Sequence, residues 1–104
     1  MLPIEKIKNI ITKYENLESE LASGKIDPKS FAKKSKEYSS LGEVIVIAKK
    51  YLNFENEKKE LVKMIQDKSN DQEIINLAQV DLDELMLDNE KHEKDLKIFL
   101  LPKD

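Results

Sequence analysis

Apolar residues recur near the start of the chain at intervals of three and four: Ile4, Ile7, Ile11, Tyr14, Leu17 (with Glu18 beside it) and Leu21. That spacing collects them on one stripe of an α-helix and predicts a first helix over about 3–22. Pro3 fits its first turn, where a missing N–H is no loss, and Gly24 suits a left-handed exit. A second stripe holds Phe31, Tyr38, Leu41, Ile45, Ala48 and Leu52, and Val62 and Ile65 rejoin it after Glu55 and Lys59. Its phase runs straight through Ser39-Ser40 and Gly42, so the pattern predicts one long helix over 28–66, roughly 58 Å at the usual rise per residue. Asp27-Pro28 starts it, an Asp oxygen capping free amides and a ring pre-setting the first helical φ. The competing reading, a strand at Val44-Ile45-Val46-Ile47, leaves that strand without a partner, because no second β-rich run exists.

The third stripe is Ile75, Ala78, Leu82, Leu85, Asn89, His92, Leu96 and Phe99, a helix over 71–100 that Pro102 prevents from continuing. Ser69-x-x-Gln72 or Asn70-x-x-Glu73 offers a capping box at its start. The link from Asp67 to Asn70 is too short for anything but antiparallel neighbours. The expected fold is therefore all-α: an elongated antiparallel helical hairpin with a third, N-terminal helix packed on it, in a single domain over 1–104.

Composition narrows the function. Charged residues make up 38% of the 104, with only two Gly and three Pro, which suits solvated helices and argues against a turn-rich sandwich or barrel. There is no cysteine, which removes disulfides, zinc-thiolate sites and thiol nucleophiles. The apolar runs Val44 to Ala48 and Ile98 to Leu101 fall far short of the ~20 residues that span a bilayer, so neither a membrane nor secretion is expected, and the cytoplasm is the expected compartment. All eighteen basic residues are lysine, so no guanidinium is present to clamp phosphate. Charge is polarised, +3 over residues 1–50 and −6 over 51–104, within a net −3.

Few residues offer chemistry. Asp81, Asp83, Glu84 and Asp88 are the densest acidic cluster, and a solvated acidic face explains them better than a cation site, which needs a folded-back loop of oxygens. His92, the one histidine, falls on the apolar seam beside Asn89, where a polar residue setting helix register is the simpler role. Tyr38, Tyr51 and Phe54 sit at core spacing. No phosphate-binding glycine loop, H-E-x-x-H or G-x-S-x-G occurs, and no enzyme, cofactor or small-molecule substrate is expected. Lys29, Lys33, Lys34 and Lys36 crowd the start of the second helix, where like charges four apart repel by a few tenths of a kcal/mol.

The segment Lys97-Ile98-Phe99-Leu100-Leu101-Pro102-Lys103-Asp104 closely resembles the end of the N-terminal helical domain of bacterial class I peptide chain release factors of the type reading UAA and UAG. Lys36-Glu37-Tyr38-Ser39-Ser40-Leu41 looks like that family's Lys-Glu-Tyr-x-x-Leu segment, and Ala78-Gln79-Val80-Asp81-Leu82 stands where the family has Ala-x-x-Glu-Leu. Asp81 for Glu and lysine for the family's arginines are departures. The resemblance implies a piece of a translation termination factor, since the Pro-x-Thr and Gly-Gly-Gln elements of later domains are absent. It implies a non-catalytic arm whose partners are the ribosome near the stalk base and the recycling GTPase release factor. In that setting Lys29, Lys33, Lys34 and Lys36 become the candidate ribosome contact. Two other classes remain open on the residues alone: a free-standing helical coiled-coil adaptor or oligomerisation module, and a metal-dependent helical enzyme using the acidic cluster.

Overall fold

The computed structural model describes residues 2–101 and consists of three helices: α1 (Ile4–Ala22), α2 (Pro28–Gln66) and α3 (Gln72–Leu100). The expected stop at Pro102, with the Pro102-Lys103-Asp104 end of the resembling segment, lies outside the described residues. The all-α expectation holds, and so does the unbroken helix through Val44–Ile47 and Gly42.

Each end of α2 carries its own neighbour. α1 runs antiparallel along the first half of α2, with Leu2 at Tyr51, Tyr14 at Tyr38 and Glu20 at Lys34. α3 returns antiparallel along the second half, with Leu85 facing Phe54, Glu57 and Leu61. The result is elongated, 60 × 33 × 19 Å. The two neighbours overlap only around residues 41–52, and the core lies there: Ile7, Ile10 and Leu17 from α1, Leu41, Val44, Ile45 and Ala48 from α2, and Leu96 from α3. Burial of both Val44 and Ile45 follows from this arrangement, because α2 must cover two adjacent faces at once where a single seam covers one.

Several local expectations are corrected. Phe31, on the expected seam, is 46% exposed, because α1 ends at Ala22 and the chain leaves through Gly24 at φ 69°. Phe99, also on the expected stripe, is exposed beyond Leu96. Asp27 flanks α2 as expected but makes no side-chain cap; its carbonyl accepts the Phe31 amide at 2.9 Å instead. Neither capping box forms. The Ser69 hydroxyl and amide donate to Asp67 Oδ1 at 2.6 and 3.0 Å, and Asn70 Nδ2 donates back to the Met64 carbonyl at 3.0 Å. The polar residues of the link thus close the end of α2 rather than open α3, whose start is flanked by Asp71.

Candidate functional site

Four lysines crowd the opening turns of α2, and the structure separates one from the rest. Lys29, Lys33 and Lys36, spaced four and three apart, share one flank of the helix and are exposed. Lys34 lies off that flank and reaches α1, where its Nζ donates to Glu20 Oε2. Lys34 is therefore an interhelical tie, and the candidate surface shrinks to three side chains.

Three acids near this end of α2 are engaged elsewhere. Glu20 is taken by Lys34, Glu18 accepts the Tyr38 hydroxyl at 2.9 Å, and Glu37 of α2 pairs with Lys13. No ion pair of Lys29, Lys33 or Lys36 occurs among the described residues. Tyr14 stacks on Tyr38 and donates to its hydroxyl at 3.0 Å. This shared hydrogen bond, and then the one to Glu18, hold Tyr38 protonated and raise it above the ordinary tyrosine range. Here the tyrosines join α1 to α2, in keeping with the packing role their spacing suggested.

At the other end of the molecule Asp81, Glu84 and Asp88 of α3 face Glu57 and Glu60 of α2 along a groove of about 380 Å³ whose floor is Leu61, Met64 and Leu85. Asp83 points elsewhere and accepts from Gln79 at 3.0 Å. The described residues contain no group of His, Asp and Glu placed to hold a metal ion. His92 lines a smaller cavity, about 160 Å³, with Lys50, Phe54, Glu57, Leu85, Asp88 and Asn89. Asn89 Oδ1 is buried there with no hydrogen-bond partner among the described residues. Both seam polars thus face α2, half-buried, at the edge of the core. None of the described helices is long and apolar enough to cross a membrane.

What sequence reasoning missed is a second apolar ridge on α3. Leu77, Val80 and Leu87 are 60%, 52% and 68% exposed, on the side of the helix turned away from α2. Their spacing of three and seven was legible, but a helix with one stripe already assigned gives no reason to look for another.

Comparison with known proteins converges on one family. Residues 10–104 match the PCRF domain. Over its whole length the chain is 52% identical to peptide chain release factor 1 of Pelagibacter ubique (strain HTCC1062), covering 29% of that protein. It is 38% identical over 98 residues to peptide chain release factor 1 of Orientia tsutsugamushi (strain Boryong), covering 94% of this chain and 27% of that one. The match to peptide chain release factor 1 of Bartonella quintana (strain Toulouse) is 35% over 103 residues, 99% of this chain and 28% of the relative. The chain thus spans less than a third of the length of these curated relatives. No solved structure matches it significantly.

Proposed function

Because the chain belongs to the PCRF domain family, we propose that it is the N-terminal helical arm of a translation termination factor that directs peptidyl-tRNA hydrolysis at UAA and UAG. The observation carrying this reading is the 52% identity, without a gap in coverage, to the corresponding 29% of a relative named peptide chain release factor 1. The arm itself is non-catalytic. Its described residues are helix, helix and helix, joined by two short turns, and the sequence has neither a Gly-Gly-Gln loop to place beside an ester nor a Pro-x-Thr to meet a codon. It acts in the cytoplasm, on the ribosome near the stalk base and with the recycling GTPase.

The charge distribution supports a role for α2 in that contact. Lys29, Lys33 and Lys36 form a compact positive flank on a molecule of net −3, with the nearby acids of α1 already committed to Lys34 and Tyr38. Ribosomal RNA is a polyanion, and each lysine that neutralises a phosphate releases counterions, so the contact is salt-sensitive. Lys34 stays outside it, as a tie that orients α1.

The test places this chain in the position of the matching segment of the Pelagibacter ubique protein and measures association of the chimera with ribosomes. Replacing Lys29, Lys33 and Lys36 by Gln should weaken association and flatten its salt dependence, whereas Lys34→Gln should act through stability alone. Unchanged affinity and salt slope in the triple variant would remove the lysine flank from the interface.

A further inference from the structure

The outer ridge of α3 has the form of one half of a helix–helix interface. Leu77, Val80 and Leu87 follow each other at intervals of three and seven, the repeat that keeps side chains on one seam when two helices wind together, and Glu84, which falls on the same repeat between Val80 and Leu87, is its one charged position. Asp81 and Asp88, seven apart, border the ridge on the side of the groove, and Asp83 and Glu90, also seven apart, border it on the other. These are the positions where paired helices carry the charges that select a partner.

The borders carry a single sign. From Ser69 to Glu90 there are seven acidic residues and no lysine, and across the groove Glu57 and Glu60 add to the same field. A second copy meeting this face through a two-fold axis would set acid against acid, and RNA or an anionic membrane would be repelled as well. A stripe this exposed, on a helix whose opposite side already packs on α2, takes no part in holding the three described helices together. We propose that the outer face of α3 docks a lysine- or arginine-bordered amphipathic helix of a protein partner, with Leu77, Val80 and Leu87 as its apolar seam. This inference rests on reading the domain as a docking arm and adds to it a second face, opposite in charge to the lysine flank and selective for a different partner.

The experiment needs no ribosome, so its failure is separable from failure of the ribosomal reading. The 104-residue chain is titrated into a fluorescent synthetic helix about three heptads long, with leucine on one seam and lysine on both borders, and into a scrambled peptide of identical composition. The ordered peptide should bind at least about tenfold more tightly than the scramble. Leu77→Ser with Leu87→Ser should erase that preference, and Asp81→Lys with Asp88→Lys should do so independently. All four positions are exposed, and circular dichroism of the variants should match the parent. Equal binding of the two peptides would overturn the proposal, as would indifference to both pairs of substitutions. It would equally be overturned by a peptide-free dimer in sedimentation equilibrium that Leu87→Ser dissociates, or by single-stranded RNA held through the same residues.

Discussion

Tyr14 of α1 lies nearly flat on Tyr38 of α2, with ring centroids 4.5 Å apart, planes 13° from parallel and hydroxyls joined at 3.0 Å. Tyr38 in turn donates a hydrogen bond to Glu18 Oε2, so the two tyrosines form a chain of donors ending on that carboxylate along the helix–helix contact.

The consequence is measurable at alkaline pH. Tyr38 has a raised pKa in the folded chain, so its hydrogen bonds stabilise the fold fully below the ordinary tyrosine pKa, and that contribution is lost as pH rises through the folded value. Ultraviolet titration should show tyrosine ionisation continuing above the ordinary tyrosine range, and Tyr14→Phe should return Tyr38 toward that range. A Tyr38 that titrates normally in the parent would show that the chain of donors is not formed.

Leu96 is the one α3 residue in the central core among the described residues, and it is fully buried. Leu96→Ala should cost about 2–5 kcal/mol in urea unfolding, the range for a buried leucine whose site does not collapse. Leu82→Ala, at a half-buried position nearer the hairpin tip, should cost less. Equal, small effects at both would mean that α3 is held by its tip and not by the core.

Gly42 lies within α2, and a Cβ placed on it would sit 3.8 Å from Tyr14 Cε2, an ordinary contact. Gly42→Ala should therefore stabilise the chain by about 0.5–1 kcal/mol through helix propensity alone, read as a higher urea midpoint. Destabilisation would show that the Tyr14 ring approaches α2 more closely than it does here.

Asp67 closes the turn between α2 and α3, and the Ser69 hydroxyl, then the Ser69 amide, lower its pKa from 3.8. A depressed carboxylate stabilises the fold above its unfolded pKa, and the contribution disappears as pH falls through the lower folded value. Ser69→Ala should raise the Asp67 pKa seen by NMR. The stability difference from the parent should be present at neutral pH and vanish in acid below both values. A difference that persists unchanged in acid would assign the effect to helix propensity.

Much of this architecture is written in the residues. Asp27-Pro28 and Gly24 mark helix ends by local chemistry, and the three- and four-residue spacings give three helices to within a residue of their ends. The exceptions are the properties set between helices. Lys34 could not be told from Lys33 without the register of α1, which brings Glu20 opposite it. Burial of Ile10 and Val44 depends on where α1 and α3 overlap along α2, a length relationship that no single stripe contains. Ser69 and Asn70 had two helix ends to serve, and their spacing to Gln72 and Glu73 favoured the end they do not cap.

As proposed, this chain is the arm of a termination factor, and the chemistry lies in the rest of such a protein. Correct placement of a reacting group can contribute ~7–11 kcal/mol, and the sequence carries no Gly-Gly-Gln loop to supply such a group. Ribosomes programmed with UAA and carrying labelled peptidyl-tRNA provide the measurement. The 104-residue chain alone should release no peptide above background, and the chimera with the remainder of the Pelagibacter ubique protein should release it when UAA is in the decoding site. Stop-codon-dependent release by the chain alone, or a folded chimera that releases nothing, would show that the chemistry is not divided in this way.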